Sequence, residues 1–520
     1  MNFYIAEPVT RLPLFNFLVR YIFTEVLIVM KTAKFLCAAA IAALTALVSC
    51  KKENEDPVIV PDPELTSFKF ELANNPEAIS SDIEGVISGD VVTVSMMKAA
   101  DKSRLVATFT ANEGDVVKVG DVVQVSGKTV NDFTNPVDYI VTNSDGGKSA
   151  LYSVSITSVN GKLEPLVTYS SLPVSDAVLR VNPDNKAPYL AFKEASVSDA
   201  ESASADKLTV VNFVDGAWKV VGSAGFSNKV ASSHFDFDVD SKGGLYVAYA
   251  DNEASPKSAK VMGYSGGSWS LVGSGAANNF MAQNLSLAAL SDNNLVLLQK
   301  CNSKSDPFKR HDLVVSLYNG SWNSNTVLDI TSMAAVKTCK AGGAAYALVI
   351  RRGSPCPFDV LKYENGTWTA LRTNFLRDGA SNTGNFVYDI TACEDGTVLA
   401  LTADDALNNG EYRFIVEKYS SVTGTWSVVG GDYYPYVHSN KNDEARIAVA
   451  PDGTPYLLYY DCTNKTLRLT WFDSDTKQWA EPVVVATEAL SSPCIAFAAS
   501  GVGYIAFTDA NNAEKIFIYR

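Results

Sequence analysis

"FDFDVDSKGGLYVAYAD", Phe235–Asp251, reads as two short strands of alternating β-branched and aromatic residues, joined by a Gly-Gly turn and ending on an acid. The same plan returns as "DITACEDGTVLALTAD" (Asp389–Asp404), "RIAVAPDGTPYLLYYD" (Arg446–Asp461) and "IAFAASGVGYIAFTD" (Ile495–Asp509). Seven copies centre on Tyr189, Tyr246, Val296, Tyr346, Val398, Tyr456 and Tyr504. A second hairpin alternates with the first and opens its last strand on tryptophan, as in "VVNFVDGAWKVVG" (Val210–Gly222) and "VMGYSGGSWSLVG" (Val261–Gly273). These tryptophans fall at 218, 269, 322, 368, 426 and 479. Two hairpins per repeat of about 50 residues make a four-stranded sheet, and radial repetition of such sheets makes a β-propeller.

The count is uneven at the ends. "KIFIYR" (Lys515–Arg520) supplies a third strand with no fourth, whereas "LVTYSS" (Leu166–Ser171) reads as a fourth strand without its sheet. Pairing them closes a seven-bladed propeller over residues 162–520 and removes both open edges. Ahead of it, residues 66–160 carry strand-like runs such as "SFKFELA", "VVTVSM", "LVATFTA" and "LYSVSIT", punctuated by turns such as "NSDGG". Six or seven short strands in that length predict an antiparallel Ig-like β-sandwich, so the whole chain is expected to be all-β.

Residues 1–49 stand outside the fold. "MKTAKFLCAAAIAALTALVSC" (Met30–Cys50) has a short basic start, an apolar stretch and small residues before Cys50, the layout of an export signal. Met30 is the expected true start, because Arg20 and Glu25 argue against a membrane span upstream of it. Leu47–Cys50 resembles a bacterial lipobox, which implies cleavage before Cys50 and lipidation of its thiol. Lys51 follows, and the sorting implied is to the outer membrane, with the protein facing out. Residues 50–65, charged and Pro-rich, form the tether; an extended linker of this kind reaches about 3 Å per residue.

The formal net charge of −14 sets the class of partner. An acidic surface without a basic stripe repels phosphate backbones, so nucleic acid is not expected as a partner. Six cysteines remain after Cys37 of the signal and Cys50. Cys339 and Cys393 fall on first strands of adjacent repeats, and Cys301 and Cys356 on second-to-third connections of adjacent repeats, so a disulfide within either pair is an expectation. Cys462 and Cys494 are read as free thiols.

Two further resemblances bear on function. "QVSG" (Gln124–Gly127) and "DFTNPV" (Asp132–Val137) lie in a stretch that resembles an Ig-like domain of unknown function in surface lipoproteins of Gram-negative gut anaerobes. That resemblance implies a spacer. The repeats, Asp215–Tyr249 above all, resemble a bacterial tandem propeller type and imply a surface or adhesion setting, with no reaction specified.

The turns between strands one and two, and three and four, are short and share one face of such a propeller. The other connections are long and share the opposite face, where function concentrates. "GGDYYPYVHSN" (Gly430–Asn440) and "RTNFLRDGASNTGNFVY" (Arg372–Tyr388) are the two richest. Tyr433, Tyr434, Tyr436 and His438, beside Phe375, Arg377, Asp378 and Phe386, form the candidate ligand face. Flat aromatic faces stack on sugar rings, and the polar groups read hydroxyl directions. The bland alternative is that these aromatics pack over neighbouring loops. The expected partner is a glycan or polysaccharide bound without catalysis. A protein partner in adhesion is the alternative, and a polysaccharide hydrolase or lyase a further one.

No cofactor is expected, with calcium at Asp236, Asp238 and Asp240 as the weaker alternative. Asp236, Asp238 and Asp240 have calcium-loop spacing, but Ser241 and Val247 stand where such a loop needs Gly and a bidentate Glu. Their alternation with Phe235, Phe237 and Val239 fits a strand better. Only His234, His311 and His438 are present, and none stands in a recognisable triad order.

Overall fold

The computed structural model describes residues 61–520 apart from 168–173, 195–205, 292, 305–306, 354, 378–387, 405–411, 431–436, 439–444, 462–463, 488–489 and 510–513. The leader, Cys50 and most of the tether lie outside the described residues. Strands alone make up the regular structure described, and no helix there is long and apolar enough to cross a membrane. Residues 62–520 form one compact unit.

Its N-terminal portion has two sheets. One orders Ile83–Glu84, Leu65–Phe70, Leu105–Ala111 and Val130–Asn131; the other runs from Val86–Ser88 through Val91–Met97, Ser149–Val159, Val137–Thr142 and Val116–Val119 to Val122–Val123. Both enclose a core of edge-to-face aromatics, Phe68, Phe70, Phe133 and Tyr139. One pairing departs from the antiparallel expectation: Ser149–Val159 runs parallel to Val91–Met97. A parallel pair needs a long crossover, and the excursion through Leu105–Thr142 supplies it. Residue alternation reveals a strand but not its direction.

Among the described residues from Leu163 onward, four-stranded antiparallel sheets repeat along the chain, the architecture of a β-propeller. The first strands, which begin at Val174, Val230, Ala282, Met333, Tyr388, Ala445 and Leu490, each pack beside the next, and Leu490–Phe497 packs beside Val174–Val181. Leu163–Leu166 pairs with Glu514–Tyr519 as the outer strand of the last sheet. That strand lies earlier than "LVTYSS"; Tyr169 is outside the described residues.

The recurring tryptophan has a physical reason. An indole N–H can only donate. Trp269 donates to the Val221 carbonyl (2.8 Å), Trp322 to Val272 (2.8 Å), Trp426 to Leu371 (3.2 Å) and Trp479 to Val429 (3.2 Å), each time three residues past the preceding sheet's tryptophan. The indole therefore fastens these outer strands to the sheet before them. Glycines 222, 273 and 430 complete the joint. They hold φ of 79°, 82° and 87°, and a Cβ there would meet the next sheet's tryptophan ring at 2.9, 3.1 and 3.0 Å. The acids that end the second strands are equally structural. Buried Asp251 accepts from Asn228 and the Glu253 N–H and pairs with Lys260 at 2.6 Å; Asp461 accepts from Asn464 and pairs with Arg468 at 3.3 Å.

The N-terminal portion rests on the short-turn side of the propeller. Its loop Lys98–Ser103 is the wedge: the Ala99 carbonyl accepts from the Asp452 N–H (3.2 Å), and Ala99 joins the core around Tyr456 and Trp471. Lys98 approaches Asp473 at 3.4 Å. Gly501, with φ 81°, lies so close to the Ala100 backbone that a Cβ would sit 2.6 Å from its nitrogen. Farther along, Glu77 pairs with Lys186 at 2.6 Å. Asp452, Asp473, Gly501 and Lys186 all belong to one-to-two or three-to-four turns. Beside the wedge lies a cleft of about 920 Å³, with Lys102, Ser103, Thr134 and Ser158 on one wall and Asp395, Lys418 and Thr454 on the other.

Candidate functional site

On the propeller axis, the first strands line a cavity of about 360 Å³ rich in charge. Arg180 lies 3.6 Å from Asp236 and 3.4 Å from Asp238, and Lys340 pairs with Asp238. Burial works against the Arg180 charge, but the two aspartates outweigh it and hold its pKa above the ordinary range. The remaining oxygens are spent on the neighbouring first strand. Asp236 Oδ2 accepts from the Ser286 hydroxyl (3.0 Å) and the Leu287 N–H (2.9 Å), and Asp238 Oδ2 accepts from the Ala289 N–H (2.8 Å). Asp389 does the same for the Ile447 N–H at 3.0 Å. Asp240 is separate, capping its own turn through the Lys242 and Gly244 N–H groups at 2.8 Å each. The calcium spacing thus dissolves into strand-to-strand pairing and one turn cap. Among the described residues no group of three or more His, Cys, Asp or Glu is placed to hold a metal ion.

The predicted ligand face is described in part. Tyr433, Tyr434, Tyr436, Asp378 and Phe386 lie outside the described residues. Val437–His438 adds a two-residue strand to Tyr412–Ser420, with His438 opposite Tyr412. Phe375 and Arg377 are brought together around Arg372. The Arg372 guanidinium lies 3.8 Å from the Phe375 ring centroid and 4.3 Å from that of Trp426, and Phe375 meets Phe358 edge to face. Arg372 and Arg377 each pair with buried Glu417 at 2.9 Å. Burial lowers the Arg372 pKa against the pull of Glu417. Packing therefore takes up Phe375 and Arg377 at the root of the long connection.

A basic group that the sequence reading missed lies on the same side, between the third and fourth sheets. The second-to-third connection of one brings Arg310 and His311, and that of the next brings Arg352, beside Lys300 at the end of its strand. Arg352 Nη1 meets His311 Nε2. Burial lowers the His311 pKa first, followed by Arg352, Arg310 and Lys300; burial and the two arginines lower that of Lys300. The signal was present as "FKRHD" (Phe308–Asp312) and "IRRG" (Ile350–Gly353). Separated by some forty residues, neither run shows in sequence that the other lies beside it.

The five described cysteines are free thiols, unlike the two bridges expected. Cys301 Sγ donates to the Ser303 carbonyl (2.8 Å) and Cys356 Sγ to that of Gly353 (3.1 Å), each within its own connection. Cys339 lines the axial cavity, whereas Cys393 lines the cleft under the N-terminal portion. Adjacent first strands thus hold these two sulfurs in different places. Burial pushes the Cys393 thiol up to about 11. Cys494 donates to the Ala177 carbonyl at 3.0 Å, and Cys462 lies outside the described residues.

Residues 66–156 match the family described as SGBP, N-terminal, the amino-terminal domain of surface glycan-binding proteins. No curated protein matches the chain. Among solved structures, it is similar to the polysaccharide lyase Uly1, at 10% identity over 69% of this chain and 99% of that one, TM-score 0.44. It is also similar to the β-propeller domain of the Trilobed protease from Pyrococcus furiosus, at 9% identity over 67% and 95%, TM-score 0.41. A lectin mutant from Aleuria aurantia in complex with α-methyl-L-fucoside shares 10% identity over 67% and 95%, TM-score 0.34.

Proposed function

We propose that the chain is a surface lipoprotein that binds a glycan or polysaccharide, without transforming it, through the long-loop face of its propeller. In this reading Cys50 carries the lipid and residues 50–65 lift the body off the outer membrane. Residues 66–160 are an Ig-like sandwich, and residues 162–520 are a seven-bladed propeller closed by Leu163–Leu166 against Glu514–Tyr519. Tyr433, Tyr434, Tyr436, His438, Asp378 and Phe386 crown the face, with Phe375 and Arg377 at its root.

The observation that carries the reading is the occupied turn side. Lys98, Ala99, Ala100 and Glu77 engage the short turns at Asp473, Asp452, Gly501 and Lys186, which leaves the long connections as the open side. The family match of residues 66–156 supports a glycan as the ligand class. Rigid scaffolds present binding residues on such loops.

A glycan-array screen of the full-length chain in detergent, beside Tyr433→Ala/Tyr434→Ala/Tyr436→Ala, tests it. The expected result is binding to a defined glycan group that is lost in the triple variant. No binding to any glycan by a folded wild-type protein overturns the reading.

A further inference from the structure

We propose that Lys300, Arg310, His311 and Arg352 form an anion subsite on the long-loop side, which receives the carboxylate or sulfate ester of an acidic polysaccharide. The proposal rests on the glycan-binding reading above and names the class of glycan.

Among the described residues many cations pair with acids, as Lys260 does with Asp251, Arg351 with Asp359 and Arg468 with Asp461. The basic group between the third and fourth sheets gathers several cations side by side without one. Lys300, Arg310 and Arg352 have no carboxylate partner among the described residues, and Arg310 and Arg352 are exposed. Of the two acids in this connection, Asp306 lies outside the described residues, and Asp312 is buried with its Oδ2 accepting from the Lys309 N–H at 2.7 Å. Like charges gathered this way repel, adding to burial, the larger cause, in lowering the pKa values of Lys300 and His311, and an incoming anion relieves the repulsion.

Backbone hydrogen bonds set the geometry in advance. The His311 N–H donates to the Cys301 carbonyl (2.6 Å), the Met333 N–H to His311 (2.8 Å) and the Arg352 N–H to Ser332 (2.6 Å). Both connections are thus fixed to the strands that bear them, and His311 is held at φ 79°. A guanidinium only donates, so His311 Nε2 accepts from Arg352 and the ring proton sits on Nδ1. Neutral His311 therefore orients the Arg352 fork without competing for the anion. Guanidinium forks match the two oxygens of a carboxylate or sulfate. In a chain of net charge −14, a local cationic site is also what an acidic polymer needs in order to approach at all.

The experiment measures binding of the full-length chain in detergent to polygalacturonate, dextran sulfate and neutral dextran at low and moderate salt. It compares wild type, Arg310→Ala/Arg352→Ala and the Tyr433→Ala/Tyr434→Ala/Tyr436→Ala variant. The expected result is salt-sensitive binding to one acidic probe, weakened about tenfold or more by the arginine pair at unchanged melting temperature. Polygalacturonate or dextran sulfate as the responsive probe assigns carboxylate or sulfate. Acidic-probe binding that the arginine pair leaves intact overturns the proposal. Binding to neutral glycans alone, lost only in the tyrosine variant, overturns it while the glycan-binding reading stands. No glycan binding by wild type removes both.

Discussion

The two sides of the propeller spend their polar groups differently. On the turn side, Lys98 meets Asp473, Lys186 meets Glu77, and the Ala99 carbonyl accepts from Asp452. Every such contact is internal to the protein. On the loop side, Lys300, Arg310 and Arg352 are gathered together and left without acids among the described residues. The turn-side contacts join the propeller to the N-terminal portion, whereas the loop side holds both answered charges, such as Arg372 and Arg377 on Glu417, and this unanswered group.

Three substitutions sharpen or break this contrast, in descending order of effect. Asp238→Ala acts on the axis that serves both sides. Its side chain is 6% exposed and answers Arg180, Lys340 and the Ala289 N–H. Removing it leaves Arg180 with Asp236 alone and takes the paired acid from Lys340, and urea unfolding is expected to show a loss of about 3 kcal/mol. Gly501→Val strikes the turn side alone, driving side-chain carbon into the Ala99–Ala100 backbone at a positive φ. A loss of about 2 kcal/mol is expected, with glycan binding retained by the folded protein. Loss of binding at unchanged stability would mean that the turn side takes part in recognition.

His311→Asn probes the loop side and has the smallest effect. The folded state lowers the His311 pKa from its ordinary value near 6.5, so the unfolded chain binds more protons as the pH falls through that region. The His311 contribution is therefore whole above about 6.5 and is lost as the pH falls toward the folded value. Urea midpoints at pH 7.5 and 5.5 should differ less in His311→Asn than in wild type. Equal differences would show that neither burial nor the neighbouring cations lower the pKa of this ring.

What the sequence revealed and concealed follows from the range of each interaction. The repeat was legible because most sheets reuse the tryptophan, and several add the glycine that follows it or the acid that ends the second strand. Those needs are local or recur at one fixed spacing, as with Trp269 on Val221 and Trp322 on Val272. The parallel pairing of Ser149–Val159 was not legible, because direction depends on where the chain has been in between. The wedge at Lys98–Ser103 reads as an ordinary polar turn and acquires its meaning only from Asp452 and Gly501, far along the chain. Asp236 and Asp238 show a spacing that resembles a metal loop, read in sequence as a strand, whose oxygens meet Arg180, Lys340 and N–H groups of the neighbouring first strand. The aromatic loop, being outside the described residues, stays a reading of the sequence.

The pairing of Leu163–Leu166 with Glu514–Tyr519 also bears on how the protein is made. The two partners are among the first and last pieces of the propeller to leave the ribosome; the Glu164–Arg520 ion pair spans 356 residues. At roughly 10 residues per second, the early strand waits about half a minute for its neighbour. Throughout that interval the growing chain carries an unpaired edge, the feature that invites association between strands of different molecules. The hazard is retired only when Glu514–Tyr519 has been made, so this late segment carries much of the protection against association between chains.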